Sequence, residues 1–183
     1  MPRMKILLLG KEGQVGWELH RALSTVGDLV ASDRQELDLE HLDEVRRWVR
    51  RHEPDIIVNA AAYTAVDRAE AEPEKAHRIN VEAVGLLAEE ANRLNAWLVH
   101  YSTDYIFNGE KTAPYEEDDP ANPLSVYGRT KFEGEERIRQ RQAKHLIFRT
   151  SWVYAARGEN FVKTILRLAK DKERLNVIAD QQG

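Results

Sequence analysis

The chain has no cysteine, which excludes disulfide staples and thiolate metal sites and is compatible with a cytosolic home. No apolar run approaches the roughly 20 residues of a membrane span, and Met1-Pro2-Arg3 leads into a short strand rather than a signal-peptide core. Positive charge is outnumbered, with 27 Lys and Arg against 31 Asp and Glu and a formal charge of −4. No basic stripe is left to neutralise nucleic-acid phosphates. Arg46, Arg47, Arg50 and Arg51 do cluster, but on the outer side of an amphipathic stretch, where a solvated face is expected. The six histidines show no ligand spacing, so no metal is expected. Repeats, low-complexity tracts and internal linkers are also absent. What remains is 183 residues, 42% hydrophobic and 32% charged, enough for one sizeable core and one domain.

Strand and helix patterns alternate along the chain, which predicts an α/β fold: a Rossmann-like, doubly wound parallel sheet with helices on both faces. Met4 to Leu9, Leu29 to Ala31, Asp55 to Asn59, Trp97 to Tyr101 and Leu146 to Phe148 read as strands. Helical spacing marks Gly13 to Leu23, with Val15, Leu19 and Leu23 inward, and Leu42, Val45, Trp48 and Val49 ahead of Pro54. Pro73 reads as the first residue of a long helix with Ala76, Ile79, Leu86, Leu87, Ala91 and Leu94 inside. Residues 105–125 are polar and carry Asn108-Gly109 and three prolines, so they form a long loop, a length that is usually functional. Val126 to Arg141 and Phe161 to Ala169 are the last helices.

The first strand runs into Gly10-Lys11-Glu12-Gly13-Gln14-Val15-Gly16. A strand, a turn lacking Cβ atoms and a helix start bring backbone N–H groups and a positive dipole to a pyrophosphate. Glycines after a strand also serve ordinary turns, but here strand and helix flank them correctly for a dinucleotide. Asp33 follows the second strand, where an acid would accept ribose hydroxyls, whereas Arg34 would suit a 2′-phosphate. The two signals conflict, so NADH and NADPH both stay open. Asp33 could equally cap local N–H groups. Asp38 and Leu39 could flank the adenine, or Asp38 could cap the next helix. Asn59-Ala60-Ala61-Ala62 ends the third strand with small side chains that leave room for a ligand.

Tyr127 and Lys131 are four residues apart on one helical face. The string is common by chance as a solvated pair. Its weight comes from Thr103, at the carboxyl end of a strand, where ligands bind in open α/β sheets. Carbonyl reduction places negative charge on oxygen as hydride arrives. Tyr127 would give that oxygen a proton and Thr103 would hold it by hydrogen bond. Lys131, a nearby cation, is expected to favour the phenolate and to reach the nicotinamide ribose.

These residues resemble the extended, nucleotide-sugar branch of the short-chain dehydrogenase/reductase superfamily, and within it the dTDP-4-dehydrorhamnose reductase family. The likeness rests on Gly-Lys-Glu-Gly-Gln-Val-Gly-Trp (10–17), Val-Asn-Ala-Ala-Ala-Tyr-Thr-Ala-Val-Asp (58–67), Ser-Thr-Asp-Tyr-Ile-Phe-Asn-Gly (102–109), Pro-Leu-Ser-Val-Tyr-Gly-Arg-Thr-Lys (123–131) and Arg-Thr-Ser-Trp-Val-Tyr (149–154). It implies a cytoplasmic enzyme that reduces the 4-keto group of dTDP-4-dehydro-L-rhamnose with NADPH or NADH, for dTDP-L-rhamnose and cell-surface polysaccharide. Tyr127 would be the general acid, Lys131 its helper and Thr103 the oxyanion partner. Asp104 and Trp152 would lie near the sugar, with Ala61, Ala62 and Tyr63 beside the cofactor. Trp152 as core packing and Asp104 as a loop cap are the plainer alternatives. The partner is then the nucleotide sugar, with neither nucleic acid nor membrane, and a homodimer is a compatible assembly. The family continues past Asp180-Gln181-Gln182-Gly183 into a smaller substrate domain, expected to be absent or truncated here. Two rivals stand: a non-catalytic NADP-binding module like the regulatory subunit of methionine adenosyltransferase, which the retained Thr103, Tyr127 and Lys131 weigh against, and another nucleotide-sugar epimerase or dehydratase. A dehydratase would want an acid after Asp104, where Tyr105 stands.

Overall fold

Strand β1 (Lys5–Leu9) is Ile and Leu after its first residue, and those four are buried. A strand so uniformly apolar belongs in the middle of a parallel sheet covered on both faces. The computed structural model, which describes residues 3–141, 144–172 and 174–177, places it there. The tail Asp180 to Gly183 lies outside the described residues. After β1 come α1 (Gln14–Leu23), β2 (Asp28–Ser32), α2 (Leu42–His52), β3 (Ile56–Asn59), α3 (Val66–Ala71) and α4 (Pro73–His77). A π turn (Arg78–Glu82) leads into α5 (Ala83–Leu94), followed by β4 (Trp97–Thr103), a 3-10 turn (Asp104–Ile106), α6 (Val126–Arg141), β5 (His145–Thr150) and α7 (Phe161–Asp171).

Among the described residues the five strands are parallel, in the order β2-β1-β3-β4-β5. The chain winds outward from β1 to β2, then returns to β3 on the other side. Strand order therefore reverses between β1 and β3, and a crevice opens beyond their carboxyl ends. On one face α2, α5 and α6 bury Val45, Val49, Leu87 and Ile138 against Leu7, Ile57 and Leu98. On the other, Leu19 and Leu23 of α1 pack against Ile6, Leu8 and Val58. The expected fold class is what forms.

Three features differ from the expectations. Helix α3 has no counterpart among the expected elements, because Val-Asp-Arg-Ala-Glu-Ala has no apolar stripe and buries only Ala69. Its function is local: Glu70 Oε1 accepts the Val126 N–H at 2.7 Å, closing the start of α6. The long helix from Pro73 is interrupted by the π turn, which carries the buried Asn80. The arginine cluster is only half solvated. Arg46 and Arg50 donate to Glu90 at 3.2 and 2.7 Å, joined by Arg93 at 2.8 Å. Glu90 is buried where α5 meets α2, and a buried carboxylate must be paired.

Glu135 on α6 is fully buried and accepts from Arg149 of β5 at 2.8 Å and from Arg139 at 2.9 Å. Burial pushes its carboxyl up, but the hydrogen bond from Arg149 and the guanidinium charges of Arg149 and Arg139 outweigh that, leaving it below 4.5. A depressed carboxylate contributes stability that is present above its unfolded pKa and lost as pH falls through the folded one. Urea titrations should therefore show the stability gap between wild type and Glu135→Gln closing as pH falls below 4.5. A gap that persists unchanged into strong acid would refute this account.

Candidate functional site

The glycine turn closes the β1 side of the crevice. Gly10 has φ +87°, and a Cβ there would sit 2.9 Å from the Ala61 nitrogen. A Cβ on Gly16 would lie 1.9 Å from the Gly10 carbonyl oxygen. Both glycines are thus demanded by the fold itself. Gly13 is different: its φ of −69° suits any residue, and the nearest atom to an added Cβ is 3.4 Å away. The packing of the chain does not demand a glycine there, and the missing side chain leaves the backbone open to a ligand. Helix α1 starts at Gln14 with no side-chain cap and no acid in its first turn. The N–H groups of Gln14, Val15 and Gly16 belong to that first turn, where helices take anions. This cradle matches a dinucleotide pyrophosphate.

The neighbours of the turn are already engaged. Lys11 Nζ bonds Glu36 at 2.5 Å, and that bond holds its pKa above the usual lysine value. Gln14 accepts from Asn160 at 2.9 Å. Arg157 pairs with Glu12 and covers the Trp17 ring at 3.7 Å.

At the end of β2, Asp33 Oδ1 accepts the N–H groups of Gln35 and Glu36 at 2.8 and 3.1 Å, the local-turn reading of that residue. Arg34 is held by Asp38 at 3.0 Å and Glu40 at 3.1 Å. Asp38 Oδ1 accepts from Glu40 N and so closes its own turn; the residue preceding α2 is His41. Leu39 is buried in the main core rather than offered to a ligand. Past β3, Ala61 N donates to Asn59 Oδ1 at 3.2 Å, and Ala61 lies against the glycine turn. Tyr63 is pinned: its N–H and C=O meet the Asn80 amide at 2.9 and 3.2 Å, and its hydroxyl donates to Glu72 at 2.8 Å.

Strand β4 runs two residues further than read from sequence, so Ser102 and Thr103 are its last positions. Thr103 Oγ1 donates to Asp104 at 3.1 Å and accepts the Tyr105 N–H, capping the turn that follows. Asp104 is therefore not that cap; its other oxygen accepts from Ser151 at 2.6 Å, tying β4 to the segment after β5. Tyr127, on the first turn of α6, lies edge-on to Tyr105 at 5.5 Å. Burial pushes its phenol above 10, Asp104 and Tyr105 add to the rise, and the nearby Thr103 hydroxyl opposes it.

Lys131 does not act on the phenol as expected. Its Nζ is turned along β4, 2.6 Å from the Tyr101 carbonyl and 3.2 Å from His100 Nε2. A buried amino group must find partners, and the strand supplies them. Burial lowers its pKa from 10.5 to about 8 against the pull of Glu135. Trp152 has φ +49° and lies exposed, edge-on to Phe161 at 5.4 Å, so core packing is not its role. Sequence reasoning missed His100 and Asn80 and read Asn59 only as a small side chain at a strand end; all three are buried at the site's back wall. The available signal was a histidine inside an otherwise apolar strand.

Comparison with known proteins gives a consistent result. The chain is 55% identical to dTDP-4-dehydrorhamnose reductase of Escherichia coli K12 over 98% of its length and 62% of that protein's. The dTDP-4-dehydrorhamnose reductase of Clostridium acetobutylicum superposes with a TM-score of 0.93 at 39% identity, covering 97% of this chain and 64% of that one. The Bacillus anthracis reductase, solved with NADP, gives 0.93 at 37% identity, covering 99% and 64%. The chain thus spans less than two thirds of the relatives it matches. The family described as the RmlD substrate binding domain matches residues 4–183, and the chain belongs to it.

Proposed function

We propose that this chain carries the cofactor cradle and the proton-transfer residues of a dTDP-4-dehydrorhamnose reductase. The observation that carries the reading is the meeting of Thr103 and Tyr127 beyond the carboxyl ends of the strands, next to a cradle in which a Cβ on Gly13 would meet nothing closer than 3.4 Å. NADPH or NADH would supply hydride to the C4 carbonyl of the sugar. Gly10, Gly13 and the first turn of α1 would hold its pyrophosphate, with Ala61 and Ala62 alongside. Tyr127 keeps its proton through neutral pH because burial raises its pKa, so it is ready to protonate the developing alkoxide. Thr103 steadies that oxygen and Asp104 orients Thr103. Trp152, exposed beside Ser151, would offer its ring to the sugar or nucleotide.

The names of the relatives support this substrate, and the NADP complex of the Bacillus anthracis protein favours NADPH. Among the described residues no helix is long and apolar enough to cross a membrane; a cytoplasmic homodimer is the assembly we propose. The test is NADPH fluorescence for binding, followed by NADPH oxidation with dTDP-4-dehydro-L-rhamnose. Binding with turnover is expected. No binding would overturn the cofactor reading, and binding without turnover would overturn catalysis by this chain.

A further inference from the structure

Behind the site runs a buried chain of side chains, Asn59, His100 and Lys131, each at most 1% exposed. The reductase reading uses only the last of them. Ala61 N donates to Asn59 Oδ1 at 3.2 Å, which orients the amide. Asn59 Nδ2, a donor, then faces His100 Nδ1 at 3.1 Å, so Nδ1 must offer its lone pair. A neutral imidazole accepting at Nδ1 carries its proton on Nε2. Nε2–H points at Lys131 Nζ, 3.2 Å away.

An ammonium has three donors and no lone pair, so it would oppose Nε2–H donor to donor. An amine accepts the Nε2–H and still donates to the Tyr101 carbonyl at 2.6 Å. To take up a proton, Lys131 needs the imidazole proton moved to Nδ1. The Asn59 amide must then turn over, which breaks its bond to Ala61 N–H.

We infer that Asn59 and His100 are positioning residues that couple the proton carried by Lys131 to the hydrogen bonding of the Ala61 loop, with one tautomer of His100 for each state of Lys131. The surroundings agree. Burial and the Lys131 charge push His100 well below 6.5, so it stays neutral, and burial places Lys131 near 8, where both states are accessible. The charged group that acts on Lys131 is Glu135 on α6, itself faced by Arg139 of the same helix and Arg149 of β5; Tyr127 stands one turn earlier on α6. The bearing on catalysis rests on the reductase reading, because Ala61 would touch the cofactor and Lys131 its ribose. The coupling itself needs neither ligand.

The test is carbon and nitrogen NMR of histidine-labelled chain, with no nucleotide or sugar present, from about pH 6 to about pH 10. His100 should remain neutral throughout and exchange its Nδ1–H form for its Nε2–H form with a midpoint near 8. In Lys131→Met the exchange should vanish and Nε2–H persist. In Asn59→Asp, whose carboxylate can only accept, the Nδ1–H form should hold across the range. One unchanging tautomer in wild type, or an exchange that survives Lys131→Met, overturns the inference. Since the readout is not turnover, failure of the reductase reading would leave it standing, and the converse also holds.

Discussion

Tyr127→Phe should lower turnover of dTDP-4-dehydro-L-rhamnose by about 10²- to 10⁴-fold, the usual contribution of a positioned general acid. NADPH affinity should change only a few-fold. The substitution removes one oxygen and keeps the ring that packs edge-on to Tyr105. What is lost is the proton that must reach the alkoxide as hydride arrives. Thr103 remains, so the oxyanion keeps a hydrogen bond and the residual rate measures what that bond and binding supply. Rates with saturating NADPH, set beside NADPH titrations by fluorescence, separate chemistry from binding. Retention of more than about a tenth of wild-type turnover would remove Tyr127 from the reaction.

The second large effect is a contrast between two glycines three residues apart. Gly13→Val should fold almost as wild type, at most about 1 kcal/mol weaker for a poorer helix start, because nothing lies within 3.4 Å of the added Cβ. It should nevertheless lower NADPH affinity about tenfold or more, as the branched side chain fills the place of the pyrophosphate. Gly16→Ala should do the reverse at the level of folding. Its methyl would sit 1.9 Å from the Gly10 carbonyl oxygen, forcing β1 and α1 apart at a cost of about 1–3 kcal/mol. Thermal melts and NADPH titrations on both variants check the pair. A strongly destabilised Gly13→Val would mean that this glycine, too, is structural.

The strands were legible because a parallel sheet covered on both faces leaves apolar runs such as Ile6-Leu7-Leu8-Leu9. The glycine turn and Thr103 were legible because each follows such a run. Helix α3 was not, since Val-Asp-Arg-Ala-Glu-Ala carries no stripe and is held by what it caps. The roles of Arg46 and Arg50 were hidden because their partner Glu90 lies 40 or more residues away in sequence. Spacing placed Lys131 beside Tyr127 on one helical face, but it said nothing of where the flexible ammonium would turn. That depends on how α6 crosses β4 and on a histidine whose burial only the assembled sheet reveals.

The π turn at Arg78–Glu82 has a consequence for chain length. Its wider loop carries one residue more than a regular helical turn, and Asn80 within it joins the Tyr63 backbone to the Thr130 hydroxyl on α6. Deleting any one residue of the turn would yield a more regular helix. It would also rotate everything on one side by about 100° around the axis, carrying either Asn80 or the buried row of α5 off its partners. The segment is therefore intolerant of indels in a way that its ordinary composition does not advertise.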